Sequence, residues 1–408
     1  MRAIVVGGSI GGLFAAHYLK KLGWSVNVYE RAGEELAGRG AGIMTHPELM
    51  AALRGIGLDS GAGIGVPIDT RITLDRQGAL VGSLPLPQVA TAWGRIYRIL
   101  REAFPDALYH HGIGLDEVLQ TEDKVRVRLS DGSTHSADLL VGADGFRSTV
   151  RAALAPEAQP RYAGYIAWRG LVEERDFSPA ARAQIFEHFA FCLPPREQML
   201  AYPVAGQGDA VERGRRRYNF VWYRPLDEFT ELPDFLTDAS GRRFEMNIPP
   251  PLIRPELIRR MRADAAQLLA PALAEVVHQA EAAFFQPIYD LTVERMAFGR
   301  AVIAGDAAFV ARPHCGMGVT KAAGDAVALA DALRRHGGDI DGALRSYEEQ
   351  RVPYGQAVVD HARHLGAYMQ AQLRSAQERE MAERYRTPEA VMRETAVPFH
   401  MAAAEGAH

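Results

Sequence analysis

A glycine-rich loop near the start of the chain has the residue types and spacing of a phosphate-binding turn. Residues 7–12 read GGSIGG, directly after the apolar run AIVV and directly before the amphipathic run LFAAHYLKKLG. In the pattern G-x-G-x-x-G, the first glycine makes the tight turn, the second lets the backbone approach the phosphates, and the third lets helix and strand pack closely. Gly7 and Gly12 match, whereas Ser9 stands at the middle position, where its hydroxyl could donate to a phosphate oxygen. We predict a weakened loop that still holds a pyrophosphate.

A carboxylate follows the loop at the distance expected for a ribose contact. Glu30 ends the second strand, 18 residues beyond Gly12, where an acidic side chain accepts hydrogen bonds from ribose hydroxyls. The start of the first helix also offers free N–H groups to the pyrophosphate. These features do not separate NAD from FAD, and a turn whose glycines only permit close packing is the alternative.

Two later stretches each place an Asp–Gly or Gly–Asp pair at the end of a buried strand. They read DLLVGADGFRSTVR at 138–151 and GRAVIAGDAAFVARPHCGMGVTKAAGDA at 299–326. A short acidic side chain at the mouth of such a loop accepts hydrogen bonds from ligand hydroxyls, and the neighbouring glycine admits the ligand. Asp144 and Asp306 are therefore candidate ligand-binding residues.

The elements that must position these residues change in character along the chain. A βαβ unit comes first, and aromatic, alternating stretches from about 161 to 294 indicate an antiparallel sheet with one covered face. The fold class is α/β (α+β): a Rossmann-like domain, an inserted antiparallel-sheet domain and a C-terminal helix. The predicted elements are strands at 3–6, 26–30, 69–86 and 301–306, a hairpin turning at SDGS before a strand that ends at Gly142, and helices at 10–22, 97–104, 316–335 and 340 to about 385. The last twenty residues are expected to be frayed.

Composition excludes several classes of function. The chain has 408 residues, 48% of them hydrophobic, and a formal net charge of -4, which gives no electrostatic reason to expect nucleic acid or an anionic membrane as a partner. Cys192 and Cys315 are too few for a disulfide framework and fall at no metal-ligand spacing, so no metal site is predicted. With no signal-peptide anatomy and no apolar run of spanning length, a cytoplasmic location is expected.

The three motifs, in this order and at these separations, resemble the FAD-dependent aromatic hydroxylases of the p-hydroxybenzoate hydroxylase type, the single-component flavoprotein monooxygenases. The resemblance covers roughly residues 1–360, and the stretches GGSI, GIMTHPEL and ARPH are most similar to members that hydroxylate a dihydroxypyridine. It implies a discontinuous FAD-binding domain at 1–70, 95–160 and 295–340, a substrate domain at 71–94 and 161–294, and a C-terminal helical region at 341–390.

The cofactor roles of that family carry over by position. The resemblance gives the ADP half of FAD to the first loop and to the end of the second strand, and the ribityl chain to Asp306. Arg98 would touch the flavin phosphate or ribityl region. Phe309 and Thr320 stand where family members often carry His and Asn, and packing beneath the flavin is the expected role of Phe309. The implied FAD-binding residues are Gly7, Ser9, Ile10, Gly11, Gly12, Glu30, Arg31, Arg98, Asp144, Gly145, Asp306, Pro313, Gly316, Gly318 and Val319.

The substrate is expected between the flavin ring and the middle sheet, because flat aromatic substrates need apolar walls and a few placed donors. The candidate substrate-binding residues are Tyr202, Trp222, His314 and Arg169, and the candidate catalytic residues are His314, Pro313 and Tyr202. Alternation turns only about half of the aromatic residues of these strands inward, and core packing is the alternative for each. Arg169 could clamp a carboxylate or point to solvent. For a ring without a carboxylate, Arg169→Ala is expected to leave the Michaelis constant nearly unchanged.

The resemblance implies a reaction in aromatic catabolism in which NADH or NADPH reduces FAD, O2 gives a flavin C4a-hydroperoxide, and an electron-rich ring, here a hydroxypyridine, is hydroxylated. Hydroxylation of a hydroxybenzoate or a purine, or flavin binding without hydroxylation, remains the alternative. An NAD-dependent dehydrogenase has no use for the two later motifs. No second dinucleotide fold is visible, so we expect the nicotinamide donor to bind transiently. The expected partners are a small aromatic substrate and O2, without nucleic acid or membrane, and a homodimer is left open.

Overall fold

The computed structural model of the protein describes residues 1–36, 42–58, 63–373 and 375–399. None of the helices in these ranges combines the length and the apolar character that crossing a lipid bilayer requires. The helices are α1 (Ile10–Lys21), α2 (Pro47–Gly55), α3 (Trp93–Glu102), α4 (Thr149–Leu154), α5 (Pro179–Ile185), α6 (Leu232–Phe235), α7 (Pro255–Leu268), α8 (Pro271–Gln279), α9 (Gly318–His336), α10 (Ile340–Gly366), α11 (Ala376–Tyr385) and α12 (Pro388–Glu394).

The strands form three sheets. They are β1 (Arg2–Val6), β2 (Ser25–Glu30), β3 (Gly42–Met44), β4 (Val66–Leu74), β5 (Leu80–Ala92), β6 (Tyr109–His111), β7 (Leu115–Gln120), β8 (Val125–Leu129), β9 (Thr134–Ala137), β10 (Leu139–Gly142), β11 (Arg161–Glu173), β12 (Phe189–Cys192), β13 (Gln198–Val204), β14 (Arg217–Pro225), β15 (Phe284–Asp290), β16 (Ala297–Phe298) and β17 (Ala301–Ile303). The predicted hairpin at SDGS is confirmed, since β8 and β9 pair antiparallel across it.

The first sheet has the order β16-β17-β10-β1-β2-β6 and is parallel except for the β16–β17 pair. Short apolar strands buried on both faces are typical of parallel sheets covered by helices, here α1 and α9 among others. Because parallel strands point their carboxyl ends to one edge, the loops after β1, β2, β10 and β17 meet there. The three sequence motifs are thereby brought together.

The second sheet has the order β15-β11-β14-β13-β12-β4-β5-β3. The prediction of an antiparallel sheet holds for its pairs except β12–β4, which is parallel. Its strands alternate between two cores. One face packs against helices that include α7 and α8, and the other packs against the end of α10 and the turn at Pro313–Cys315. The predicted domain boundary at residue 70 falls inside β4, and residues 42–44 also pair in this sheet.

The C-terminal region differs from the sequence expectation in two ways. A continuous helix over 340–385 is wrong, because α10 ends at Gly366 and the chain turns before α11 begins. Tertiary contacts make this turn: the Ala371 N–H donates to the Gly164 carbonyl (3.0 Å), and Tyr368 is buried. The fraying expected of the last twenty residues is also wrong up to residue 399, since α12 packs against β4 and β5. Residues 400–408 lie outside the described residues.

Candidate active site

The loop after β1 requires glycine for steric reasons. Gly7 has a φ of +101°, and a Cβ there would lie 2.4 Å from the Ala143 carbonyl oxygen. A Cβ on Gly12 would lie 1.8 Å from the Gly7 carbonyl oxygen, so helix α1 and the loop touch through backbone alone. Ser9 stands at the N-cap of α1, but its side chain makes no capping hydrogen bond. The Ser9 hydroxyl and the first N–H groups of α1 are therefore suited to bind a phosphate.

Glu30 is held at the end of β2 by backbone donors. The Gly8 N–H donates to Oε2 (2.8 Å) and the Ala32 N–H donates to Oε1 (2.9 Å), and the residue is only 7% exposed. Each carboxylate oxygen keeps a further lone pair, because a carboxylate accepts about four hydrogen bonds. The carboxylate is thus both fixed in position and able to accept hydrogen bonds from a ribose.

A cleft of about 570 Å³ runs along the carboxyl edge of the first sheet. Trp93 and Leu36 also line it, and neither was predicted from the sequence. Trp93 directly follows β5. The end of the alternating residues at Ala92 was the sequence signal that could have placed Trp93 at the end of a strand. The predicted residues that line the cleft are Gly7, Ser9, Ile10, Gly11, Glu30, Arg31, Asp144, Gly145, Asp306, Gly318 and Val319.

The two aspartates of the later motifs have different surroundings. The Asp144 carboxylate accepts hydrogen bonds from the Ser148 hydroxyl (2.5 Å) and the Thr149 N–H (2.6 Å), so it organises the start of α4. Asp306 is half exposed, and its Oδ1 lies 3.9 Å from the Nζ of Lys321. The Lys321 ammonium is 1% exposed and has no hydrogen-bond partner among the described residues. Asp306 is the better placed of the two to accept hydrogen bonds from a ligand.

Helix α9 points its N-terminus at the cleft. Gly318 and Val319 line the cleft and begin the helix, and its first turn carries no acidic side chain. The free N–H groups and the dipole of a helix give this end a partial positive charge. An anionic group of a bound cofactor would be stabilised there.

Four predicted cofactor-binding residues do not line this cleft, and one of them, Gly12, packs against the Gly7 carbonyl instead. Arg98 on α3 forms an ion pair with Asp209, so its contact with FAD stays a prediction without support from the geometry. Pro313 belongs to the turn before α9, and Gly316 ends that turn in the left-handed region with a φ of +66°. A Cβ on Gly316 would lie 3.0 Å from the Cα of Ala396, so the C-terminal segment packs on this turn.

His314 joins the turn to the second sheet. It is 1% exposed, the Tyr165 hydroxyl lies 2.8 Å from its Nε2, and its ring lies 4.2 Å from the ring of Tyr223. Burial, together with the charges of Arg312 and Arg169, lowers the pKa of His314 well below its ordinary value. His314 is therefore neutral at physiological pH, and its role as a catalytic residue stays a prediction.

Tyr202 lies on the same face of the second sheet. Its hydroxyl donates to the Gly42 carbonyl oxygen (2.7 Å), which ties β3 to β13. Burial raises the pKa of Tyr202 and raises that of Tyr223 to about 12, while the charge of Arg169 lowers both. Both hydroxyls are protonated at neutral pH. Since the Tyr202 proton is committed to Gly42, the oxygen of Tyr202 is left to accept a hydrogen bond from a substrate.

Trp222 lies on the opposite face of the sheet, so its role as a substrate-binding residue stays a prediction without support from the geometry. Successive side chains of a strand point to opposite faces, so Trp222 and its neighbour Tyr223 are separated by the sheet. Trp222 packs in the helix-covered core, where its Nε1–H donates to Glu197 Oε2 (2.8 Å).

Several polar side chains on the face of Tyr202, including Gln198, Arg169 and Asn219, have buried atoms without partners among the described residues. Arg169 on β11 has a buried Nε with no hydrogen-bond partner among the described residues, and the same holds for Nδ2 of Asn219 on β14. Asn219 was missed in the sequence. The signal was a lone amide in the apolar run YNFVWY, two residues from Val221 and four from Tyr223 on the same face.

The described residues fit FAD. Glycines whose Cβ atoms would collide with backbone surround a cleft that ends at two helix N-termini, and a fixed carboxylate lies beside the first of them. This donor set suits a pyrophosphate and a ribose. The second sheet carries aromatic side chains on the face that packs against the turn at Pro313–Cys315.

Known proteins share this architecture. A family model described as FAD binding domain-like matches residues 162–290. The chain is 34% identical over 372 residues to the 2,6-dihydroxypyridine 3-monooxygenase of Paenarthrobacter nicotinovorans, covering 90% of this chain and 91% of that protein. It is similar to the solved 2,6-dihydroxypyridine-3-hydroxylase from Arthrobacter nicotinovorans, with a TM-score of 0.85, 32% identity and coverage of 92% and 94%. Klebsiella pneumoniae HpxO complexed with FAD and uric acid matches with a TM-score of 0.75 and 25% identity, over 97% and 93% of the two chains.

Proposed function

This chain belongs to the FAD-dependent aromatic monooxygenases, and from that premise we propose that it hydroxylates a hydroxypyridine ring with NAD(P)H and O2. Its cofactor is FAD. The observation that carries the choice of substrate is the 34% identity, over 90% of the chain, to a dihydroxypyridine monooxygenase. The second sheet supports it, because its face carries neutral phenols and N–H donors beside apolar walls.

The residues of the cleft bind and orient FAD. Ser9 and the N-terminus of α1 hold the pyrophosphate, Glu30 holds the adenosine ribose, and Asp306 accepts hydrogen bonds from the ribityl hydroxyls. The N-terminus of α9 stabilises negative charge at the pyrimidine end of the flavin. When bound, FAD supplies the transfer of electrons from the nicotinamide to O2 and of one oxygen atom to the ring.

The residues of the second sheet hold the ring and exclude water. Tyr202, Tyr223 and Val221 lie on the face that packs towards the turn before α9. The tyrosines give flat apolar contact, and the Tyr202 oxygen accepts a hydrogen bond from a ring hydroxyl or ring N–H. Neutral His314 fixes the turn against Tyr165 and Tyr223.

A second cleft supports the proposal that NAD(P)H is the electron donor. It measures about 450 Å³ and is lined by residues 146–148, which directly follow the Asp144–Gly145 pair of the first cleft. Its lining includes three exposed arginines, Arg147, Arg242 and Arg243. Guanidinium groups bind phosphates through paired N–H donors, so this cleft suits the pyrophosphate of a transient nicotinamide donor.

The test is turnover by purified protein loaded with FAD. Oxygen uptake and NADH or NADPH oxidation would be measured with 2,6-dihydroxypyridine, 3-hydroxybenzoate and uric acid, and the product analysed by mass under labelled O2. We expect fast oxidation and one labelled oxygen in the product with the dihydroxypyridine alone. Coupled hydroxylation of the benzoate or of uric acid instead would overturn the substrate proposal. Oxidation without oxygen incorporation into any ring would show a flavin oxidoreductase that does not hydroxylate.

Two further expectations concern the setting of the enzyme. We propose a cytoplasmic location, supported by the two cysteines, which are both unpaired thiols. We also propose a homodimer as the assembly to test, by sedimentation of the FAD-loaded protein.

A further inference from the structure

A polar patch lies on the substrate face of the second sheet, beyond the turn that holds His314. Arg169 on β11 is directly opposite Val221 on β14. The diagonal neighbours of Arg169 on the same face of β14 are therefore Asn219 and Tyr223, within reach of a long side chain. Tyr202 on β13 is directly opposite Asn219. These side chains form one patch across three adjacent strands.

The free polar atom that Asn219 contributes to this patch is a donor. The side chain is fully buried, and the Gly42 N–H donates to its Oδ1 (3.3 Å). Because a backbone N–H can only donate, this contact fixes which end of the amide is the oxygen. The NH2 group remains, and it has no partner among the described residues. An unsatisfied buried donor of this kind is rare in native proteins and calls for an acceptor.

The charge of Arg169 is also uncompensated. Within the described residues no carboxylate lies within ion-pair distance of its guanidinium. Arg312 and Arg216, by contrast, each have an acidic partner, and the buried Arg71 donates to carbonyl and amide oxygens. The groups that feel its charge are His314, Tyr202 and Tyr223, all neutral at physiological pH. A partly buried cation without a counter-ion is costly, so this position favours binding of an anion.

We propose that Arg169 and Asn219 together bind an anionic oxygen of the aromatic substrate, so that the protein takes its ring substrate in the ionised form. This rests on the proposed function, in which the substrate is a hydroxylated aromatic ring. Both free groups are N–H donors, and an ionised ring hydroxyl is an acceptor that carries the charge Arg169 lacks. Ionisation also makes the ring more electron-rich, which favours its attack on an electrophilic oxygen.

This inference changes the expectation drawn from the sequence for Arg169. From sequence alone, a ring without a carboxylate needed no guanidinium, and Arg169→Ala was expected to leave the Michaelis constant nearly unchanged. The side chain is instead partly buried on the substrate face, beside a second unpaired donor. A ring oxyanion meets the same donors that a carboxylate would.

The experiment is an equilibrium titration of the FAD-loaded protein without NAD(P)H, followed by the change in flavin absorbance. The ligands are 2,6-dihydroxypyridine and 2,6-dimethoxypyridine, which has a similar shape but no ionisable hydroxyl. Loss of a hydrogen bond to a charged group costs about 1.5–3 kcal/mol, or roughly 10- to 150-fold in Kd. We expect Arg169→Met to raise the Kd of the dihydroxypyridine by that factor. The Kd of the dimethoxypyridine should stay within about twofold of its wild-type value.

Further variants separate recognition from folding. Asn219→Asp keeps the oxygen that accepts the hydrogen bond from the Gly42 N–H but replaces the NH2 donor by a second carboxylate oxygen. It should therefore raise the Kd of the anionic ligand at least as much as Arg169→Met does. Arg169→Lys keeps the charge and should recover part of the affinity. Arg161→Met, an exposed position on the same strand, is the matched control and should leave both Kd values unchanged.

The outcomes distinguish this inference from the proposed function. Wild-type affinity of Arg169→Met for the dihydroxypyridine, or equal weakening of both ligands, would overturn the inference. If the wild-type protein binds 3-hydroxybenzoate or urate and not the dihydroxypyridine, the proposed substrate is wrong. The ratio of Arg169→Met to wild-type Kd for that other anion then supports the inference if it exceeds about tenfold and overturns it if it is near one.

Discussion

Replacement of Glu30 by glutamine tests how the end of β2 holds the adenosine half of FAD. In the structure each carboxylate oxygen accepts one backbone N–H, from Gly8 at 2.8 Å and from Ala32 at 2.9 Å. A glutamine has one oxygen and one NH2, so one of these N–H groups would face a donor and lose its acceptor. The ribose would lose a charged acceptor as well. Loss of this hydrogen bond between the ribose and a charged acceptor costs about 1.5–3 kcal/mol, which predicts an FAD Kd raised roughly 10- to 150-fold.

The assay for this variant is titration of the apoprotein with FAD and, separately, with FMN, followed by quenching of flavin fluorescence. FMN lacks the adenosine half, so Glu30→Gln should change its Kd by less than about twofold. Glu34→Gln, an exposed carboxylate in the next turn of the chain, is the control and should bind both flavins like the wild type. Unchanged FAD affinity, or an equal loss for FAD and FMN, would refute the assignment of Glu30 to the ribose.

Three other predictions follow from the same structure. Asp306→Ala should raise the FAD Kd by about 10- to 150-fold, and flavin retention equal to wild type on gel filtration would place its carboxylate away from the ribityl chain. Arg243→Ser should raise the Michaelis constant for NAD(P)H by about 3- to 10-fold with unchanged FAD content, and an unchanged constant would exclude this arginine from donor binding. Burial lowers the pKa of His361 from 6.5 to about 4. Between these pH values the imidazole is protonated in the unfolded chain and neutral in the folded chain. That side chain's contribution to stability is complete above pH 6.5 and is reduced by about 1–2 kcal/mol at pH 5. The melting temperature of His361→Phe should therefore fall less than that of the wild type between pH 7.5 and pH 5. An equal fall in both proteins would contradict the lowered pKa of His361.

The cofactor side of the site could be predicted from the sequence because its determinants are local. A short apolar strand followed within three residues by Gly7, by Asp144 or by Asp306 predicts both a buried parallel strand and the residue at its carboxyl end. The edge of a parallel sheet then brings the three loops together without further information. What the pattern could not give is the environment of each aspartate. Asp144 is engaged by donors of its own helix, a contact that depends on the exact turn after Gly145.

The substrate side could be predicted only in part, because alternation separates two faces without saying which one is functional. Trp222 was among the predicted substrate-binding residues and its neighbour Tyr223 was not, and only the packing of α7 and α8 on one face shows that Tyr223 is the one beside Tyr202. Asn219 and Arg169 are distant in sequence and meet through the register of β11 with β14. Such pairings between remote strands leave little trace in local composition.

The ordering of residues 388–399 could not be predicted, because an Ala-rich, polar composition hides its long-range contacts. The fully buried Arg71 donates to the carbonyls of Met392 (2.6 Å) and Thr395 (2.6 Å). The Gln88 amide donates to the carbonyl of Ala396 (2.8 Å). The sequence of α12 itself does not indicate that carbonyls at its C-terminal end accept hydrogen bonds from a buried arginine on β4.

The segment at residues 388–399 makes the protein unusually sensitive to truncation after α10. The Ala396 N–H donates to the His314 carbonyl (2.7 Å), so the turn at the N-terminus of α9 is fastened by residues that leave the ribosome after both large sheets have been translated. All paired strands of the nascent chain are therefore translated before the segment that holds the His314 turn in place. A stop codon anywhere between codons 367 and 387 would preserve every paired strand and still remove that fastening. Truncations that conventional fold criteria would score as mild should thus behave, in a genetic screen, like lesions in the active site.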